Sequence, residues 1–267
     1  VLRRFATAVA KKFISEQESE TMLSALVGRP YSQIPDLGQY SNAIRFAGND
    51  YANAIRIGFN GTNPYSGNIL IEGNSIYQRS THSGAGSIAV QTTGTLTIQP
   101  TGNSFTYMRA GDAGTLTFDN NWNFGTNLGG FVYGKTTNTT SLTYSNALTT
   151  NGPITMYAGS ISQNAAFSTT TATGHIRLLA SADIAQAASL TTQGGSVILW
   201  SDTDGASGGR IGLTSNITTN GGHIYAGGGS ASETLNGLSV PSEYATSGTN
   251  TLSGITIAGT TINSVGG

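Results

Sequence analysis

Two aspartates separated by one residue, Asp202 and Asp204, lie close enough in the sequence to suggest metal chemistry. They belong to SDTDG, and Asp-x-Asp-Gly is how a calcium-binding loop begins, since oxygen ligands on a flexible loop suit Ca²⁺. The later acids of such a loop are missing, because ASGGR follows. Aspartate also favours turns, so a solvated turn is the alternative. The sequence therefore predicts no metal site. If calcium does bind, Asp202 and Asp204 are the candidate ligands.

Cleavage of polysaccharides is the other chemistry that this pair of carboxylates suggests. Such enzymes need two carboxylates at a set separation, or a carboxylate-bound metal beside a basic residue. No second acidic cluster accompanies the pair in the sequence. We therefore expect no enzymatic activity. A polysaccharide-binding or polysaccharide-cleaving protein is kept as the alternative function.

Three histidines, His82, His175 and His223, are further candidates for metal ligands. His175 and His223 occupy the same place in two similar phrases, GHIRL and GHIYA, which predicts that they lie on one face. Two histidines without a third ligand do not make a zinc site. We interpret them as polar residues of a strand surface and expect no cofactor.

Aromatic side chains are the best candidates for binding, because their rings offer a large apolar surface with a polar edge. Trp122, Tyr157, Trp200 and Tyr225 are the predicted contacts for a glycan or a partner protein. Trp122 belongs to the Asn-rich stretch NNWNFGTN (120–127), which is typical of a loop tip that makes contacts. The alternative stays open that Tyr157, Trp200 and Tyr225 shield the surface of the fold or face its interior.

The composition excludes some classes of function. Of 267 residues 37 are glycine, and charged residues make up 9%, against a usual share of about 25%. The net charge of −1 argues against nucleic-acid binding, which needs a basic surface, and gives little protection against self-association. Cysteine is absent, which fits export without disulfides. No apolar run approaches the ~20 residues that a membrane-spanning helix needs.

Residues 1–30 differ in composition from the rest of the chain, with eight charged residues and one glycine. Phe5, Val9 and Phe13 recur at helical spacing, which predicts a short amphipathic helical segment. We expect this segment to cover one end of the fold or to join neighbouring copies during assembly. Residues 31–66 form a transition, in which NAIRF (42–46) and NAIRI (53–57) alternate as strands do.

From Gly67 onward one phrase recurs, made of a glycine, a short alternating apolar run and small polar residues. Several intervals are near ~20 residues, which is too short for a propeller blade. In a parallel β-helix each coil stacks on the previous one at strand spacing, so like residues stack on like. An all-β parallel β-helix is therefore predicted over 67–267. The copies are GNILIEG (67–73), GSIAVQ (86–91), GTLTIQ (94–99), GTLTFD (114–119), GPITMYAG (152–159), GHIRLLA (174–180), GSVILW (195–200), GRIGLTS (209–215), GHIYAGG (222–228) and GITIAG (254–259), with GFVYG (130–134) as a further strand.

Alternation within each copy predicts which side chains face inward and form aliphatic ladders. The other positions are predicted to form outward rows of Thr, Ser and Asn, since β-branched Thr suits strands. Glycine is expected at the corners, where the backbone needs a positive φ or a close approach. The predicted inward residues are Ile69, Ile71, Leu96, Ile98, Leu116, Phe118, Ile154, Met156, Val197, Leu199, Ile211, Leu213 and Ile224.

The stretch GGSVILWSDTDGASGGRIGLTSNITTNGGHIYAGGG (194–229) resembles the coils of filamentous-haemagglutinin-like surface proteins, which are large bacterial exoproteins. The matching features are the GG-x-[IV]-x-L strand, the SDTDG turn, the SGGRIGL strand and the TTNGG corner. The resemblance extends over 67–267. It implies a right-handed parallel β-helix at the bacterial cell surface or outside the cell, with a role in adhesion, biofilm formation or cell–cell contact.

We accordingly expect a non-enzymatic extracellular protein with a structural or adhesive role. It would be either a module of an adhesin shaft, with further coils after Gly267, or a subunit that assembles head to tail into a fibre. The expected partners are further copies of the chain, a cell-surface glycan or a receptor on a host or neighbouring cell.

Overall fold

The computed structural model describes residues 43–46, 55–57, 59–60, 63–78, 88–105, 115–118, 122–125, 127–206, 208–246 and 254–266. Every regular element within these ranges is a β-strand. In this part of the chain there is no helix long and apolar enough to cross a membrane. The predicted helical segment 1–30, with Phe5, Val9 and Phe13, lies outside the described residues, as does His82.

The strands are short, as the frequent glycines and small polar residues predict, apart from one strand of 12 residues. The first half of the chain contains β1 (Ala43–Phe46), β2 (Ile55–Ile57), β3 (Phe59–Asn60), β4 (Asn63–Pro64), β5 (Ile69–Glu72), β6 (Ser75–Gln78), β7 (Ile88–Val90), β8 (Thr95–Gln99), β9 (Thr115–Phe118), β10 (Trp122–Asn123), β11 (Gly130–Tyr133) and β12 (Ser141–Tyr144). The second half contains β13 (Leu148–Thr150), β14 (Ile154–Ala158), β15 (Ile161–Gln163), β16 (Phe167–Thr169), β17 (Ile176–Ala180), β18 (Ile184–Gln186), β19 (Leu190–Thr191), β20 (Val197–Trp200), β21 (Ile211–Leu213), β22 (Ile217–Thr218), β23 (Ile224–Leu235), β24 (Leu238–Glu243), β25 (Ile255–Ile257) and β26 (Ile262–Asn263).

Three sheets with parallel pairing hold most of these strands. Sheet 1 contains β5, β8, β11, β14, β17, β20 and β23, and β24 joins it antiparallel at one edge. Sheet 2 contains β9, β12, β15, β18, β21 and β25, and sheet 3 contains β13, β16, β19, β22 and β26. The chain therefore visits the three sheets in turn and then returns to sheet 1, so that each circuit pairs with the previous one. The predicted all-β class and the parallel sheets are confirmed.

The core is a set of apolar columns that run across the strands. In sheet 1, Ile154 pairs with Ile176, which pairs with Val197, and all three side chains are fully buried. Ile69 and Ile224, in the outermost parallel strands of the sheet, are half-buried against the same cluster. The predicted alternation is confirmed for the inward residues Ile71, Leu96, Ile98, Phe118, Ile154, Met156, Val197, Leu199, Ile211 and Leu213, and β11 confirms the strand predicted at 130–134.

Threonine also forms a buried column, which lies outside the recurring copies in which threonine is predicted to face outward. Four threonines at the end of sheet 3 strands, or just after them, are at most 1% exposed. Each hydroxyl donates a hydrogen bond to the carbonyl of a glycine at the next corner, and this bond makes burial of the hydroxyl tolerable. The pairing explains why threonine and glycine recur together. The pairs are Thr150–Gly152, Thr169–Gly174, Thr192–Gly195 and Thr219–Gly222.

Candidate functional site

The outer face of sheet 1 is apolar over the neighbouring strands β17 and β20. All four side chains of β20 are buried, and Leu179 of β17 is buried on the outer side. Strand register places Tyr157, Leu179 and Trp200 in one outward row. Ile198 and Tyr225 lie in the adjacent row. Such a face needs a cover, because exposing apolar surface to water costs about 25 cal/mol per Å².

A β-hairpin formed by β23 and β24 supplies this cover. Its turn is Asn236-Gly237, where both residues have positive φ, 50° and 75°. These values belong to the two-residue type I′ turn, for which Asn-Gly is a preferred sequence. Val240 on the returning strand is 1% exposed and packs in one cluster with Ile198 and Trp200. The hairpin thereby removes most of the apolar outer face from water.

Two hydrogen bonds hold the outer part of the hairpin, from Gly229 onward, to β20 and to the start of β23 in sheet 1. The indole Nε1 of Trp200 donates to the carbonyl oxygen of Gly229 at 2.7 Å. The Nδ2 of Asn236 donates to the hydroxyl oxygen of Tyr225 at 2.8 Å. Trp200 is nearly buried, whereas Tyr157 and Tyr225 are half-buried. Trp200 therefore anchors the hairpin, and the two tyrosines keep part of their surface available.

Undocking the hairpin is expected to expose Trp200. In Val240→Asp a carboxylate would enter the apolar cluster, and a buried unpaired charge is strongly unfavourable. The chain contains two tryptophans, and both are nearly buried, so acrylamide should quench the fluorescence of the intact chain weakly. In the variant, one of the two indoles should become quenchable. Ser239→Asp is the control, because Ser239 is exposed on the same strand. Equally weak quenching in Val240→Asp would contradict the docking role.

A row of polar residues borders the cluster. His175, Ser196 and His223 stand directly before β17, β20 and β23. The Ser196 backbone N–H donates to His175 Nδ1 at 2.9 Å, and the His223 backbone N–H donates to the Ser196 hydroxyl at 3.1 Å. The prediction that the two histidines share a face is confirmed. Burial, and secondarily the Arg177 guanidinium, lowers the pKa of His175. Because Nδ1 accepts a hydrogen bond, the neutral ring carries its proton on Nε2.

Asp202 and Asp204 lie in a turn after β20. Asp202 has a φ of 53°, and its Oδ1 accepts a hydrogen bond from the Gly208 N–H at 3.0 Å. Asp204 is exposed, and its Oδ1 accepts from the Ala206 N–H at 3.1 Å. These bonds are typical of aspartate in turns. Across the part of the chain that the structure describes, no group of three or more His, Cys, Asp or Glu residues could hold a metal ion.

Trp122 lies in the core and not at a loop tip. Its side chain is 2% exposed, its ring stacks on Phe124 at a centroid distance of 5.7 Å, and it meets Phe118 edge-on at 5.1 Å. The apolar area of these rings is worth more inside the fold than in water. The prediction of Trp122 as a surface contact is therefore corrected, although the described asparagines Asn123 and Asn127 are exposed.

Tyr157 and Tyr225 are therefore the aromatic residues that this outer face offers to a ligand. Arg177 lies in the same row as Tyr225, on the strand next to that of Tyr157. Sequence analysis identified both tyrosines but not the arginine, although the alternation in IRLLA places it outward beside apolar residues. Comparison with models of protein families, with curated proteins and with solved structures finds no match for this chain.

Proposed function

We propose that this chain is a non-enzymatic extracellular protein with a structural and adhesive role, built as a right-handed parallel β-helix like those of filamentous-haemagglutinin-like bacterial surface proteins. The cyclic order of the three sheets supports a helical path, since each circuit returns to sheet 1 in parallel register. The right-handed sense follows from the strong preference for right-handed crossovers between parallel strands. A stack of this kind makes a stiff rod, which suits a shaft or a fibre.

The observation that carries the proposal is an inward column that continues to an exposed surface. Leu213 and Ile217 are buried, at 2% and 0% exposure. Their partners on the last circuit, Ile257 and Ile262, occupy the same columns but are 58% and 42% exposed. Within the described residues, β25 and β26 each pair on one side only. A further layer of strands would cover these side chains and satisfy the unpaired backbone groups.

Either further coils of a longer chain or a second copy of this chain would form that layer, and the second copy is the occupant that assembly of the purified chain tests. Its strands would extend columns that already exist between circuits, so like residues would again stack on like. The net charge of −1 opposes such stacking little. A head-to-tail contact that does not close on itself generates an open filament. The adhesive shaft would thus grow by adding copies, and the segment 1–30 would join neighbours.

Electron microscopy of the purified chain tests this proposal. We expect filaments from the intact chain and short separate particles from the double variant Ile257→Lys, Ile262→Lys, because lysine on an edge strand opposes strand pairing. Tyr244→Lys is the matched control, since Tyr244 is 90% exposed and lies after β24. It should form filaments like the intact chain. A version that lacks residues 1–30 should also fail to assemble.

Separate short rods from the intact chain at all concentrations would contradict self-assembly. The proposal would then reduce to a module of an adhesin shaft that does not assemble by itself. Filaments that persist in the double lysine variant would show that the contact lies elsewhere on the chain, and would contradict the role assigned to β25 and β26.

A further inference from the structure

Arg177 lies on the outer face of sheet 1 with an unsatisfied donor. Its side chain is half-buried, and its buried Nε has no hydrogen-bond partner among the residues that the structure describes. Arg210, by contrast, is exposed, and its guanidinium donates to the Asp183 carboxylate at 3.1 Å. A buried donor that is left unsatisfied destabilises the fold, so such a group calls for an acceptor.

The sheet strands paired around Arg177 contain donors and no acid. The acids of the covering hairpin are Glu233 and Glu243, and Glu243 accepts a hydrogen bond from the Ala231 N–H. The strand segments paired around it read ITMYA, IRLLA, VILW and IYAG, and none of them contains Asp or Glu. His175 lies two residues before Arg177, directly before β17. Its Nδ1 already accepts a hydrogen bond, which leaves Nε2–H as a donor. The Tyr225 hydroxyl accepts from Asn236, so its own proton is available to donate. An anion would find several donors here and no competing carboxylate on these strands.

Two half-buried tyrosines flank this arginine. Tyr225 lies in the same row, two strands away, which corresponds to about 10 Å between Cα atoms at normal strand spacing. Tyr157 lies on the adjacent strand, one outward position further along. Tyrosine combines an apolar ring face with a polar edge, which suits contact with a sugar ring. The group therefore joins a cation with aromatic surface on one rigid sheet.

We propose that Arg177, with His175, Tyr157 and Tyr225, forms a binding site for a carboxylated sugar, as found in a polysaccharide of uronic acids. The planar guanidinium matches a carboxylate in a bidentate pair, which favours a carboxylate as the anion. The assignment of an anion rests on the unsatisfied Nε of Arg177 and on the donors beside it. Its assignment to a polysaccharide rests on the proposed extracellular adhesive function.

Binding of polygalacturonate, measured by calorimetry, tests the site. We expect the intact chain to bind this polymer, and to bind its fully methyl-esterified form at least about tenfold more weakly, because the ester removes the charge that pairs with the guanidinium. Arg177→Gln should lose about tenfold or more in affinity for polygalacturonate, and Arg177→Lys should recover part of it, since the ammonium keeps the charge but not the fork. Arg210→Gln is the matched control and should bind as the intact chain does.

The thermal unfolding midpoint of Arg177→Gln should not fall, because the substitution removes an unsatisfied donor. An unchanged midpoint would show that a loss of binding is not a loss of fold. Failure of the intact chain to bind, equal binding of the esterified polymer, or unchanged affinity in Arg177→Gln would each overturn the site. The double variant Ile257→Lys, Ile262→Lys should retain the affinity of the intact chain for short oligogalacturonates. Binding without filaments would then contradict self-assembly alone, and filaments without binding would contradict this site alone.

Discussion

In the Gly195→Ala variant, the free energy of unfolding is expected to fall by about 3 kcal/mol. A Cβ at this position would lie 2.2 Å from the carbonyl oxygen of Gly174 and 3.0 Å from the backbone nitrogen of His175. Both are backbone atoms, so the clash is relieved only if successive circuits separate. Gly222 repeats the contact one circuit later, where a Cβ would lie 2.0 Å from the carbonyl oxygen of Gly195. The corner glycines therefore determine how closely the circuits stack.

Gly212→Ala is the matched control for this substitution. Gly212 lies in β21, and the nearest atom to a Cβ placed there is the Ile184 carbonyl oxygen at 3.9 Å, an ordinary contact. The free energy of unfolding should change by no more than ~0.5 kcal/mol. Urea unfolding followed by circular dichroism compares the two variants. Similar shifts of the urea midpoint in Gly195→Ala and Gly212→Ala would contradict the close approach of the circuits.

The inward columns were predictable because alternation along a strand is a local property of the sequence. Leu96 and Ile98 differ from their polar neighbours in TLTIQ by residue type alone, and both are fully buried. The same logic identified β11 from GFVYG. The recurrence of one phrase predicted parallel pairing of like with like, which the register of Ile154 with Ile176 bears out.

The hairpin over sheet 1 was not predicted, although two signals for it are present. Asn236-Gly237 between leucines is a turn sequence for a two-residue hairpin. The outward residues Ile198 and Trp200 are also apolar, which indicates that something covers them. Each signal is ambiguous alone, because the hairpin and the outer face of β20 that it covers are far apart in the sequence. The match between them depends on strand register, which pattern analysis of single strands does not give.

Two buried residues show what residue type alone does not reveal. Asparagines around Trp122 indicated an exposed loop, but burial of the indole depends on Phe118 and Phe124 packing against it. Thr192 lies outside the recurring copies, and its polar side chain is buried because its hydroxyl donates to the Gly195 carbonyl inside the fold. Whether a polar side chain is tolerated in a core is decided by its hydrogen-bond partner, which residue type does not reveal. The Nε of Arg177 is the opposite case, since only the structure shows that no acceptor reaches it within the described part of the chain.

Removal of a single oxygen atom from the core is expected to stabilise the chain. Tyr144 is fully buried, and its hydroxyl has no hydrogen-bond partner among the residues that the structure describes. The same burial raises the pKa of this phenol well above its usual value, because the charged form has no solvation there. Tyr144→Phe removes the unsatisfied group and keeps the ring, so the free energy of unfolding should rise by about 1 kcal/mol.

Tyr144→Ala should act in the opposite direction, with a loss of about 3–5 kcal/mol. The ring meets Phe167 edge-on at a centroid distance of 4.9 Å and Phe118 at 5.3 Å, and a cavity would replace both contacts. Tyr244→Phe is the control, since Tyr244 is 90% exposed, and its urea midpoint should match that of the intact chain. A lower midpoint in Tyr144→Phe would mean that the hydroxyl is hydrogen-bonded in solution. Opposite signs for the two substitutions at one position would show that the ring stabilises this aromatic core while its hydroxyl opposes it.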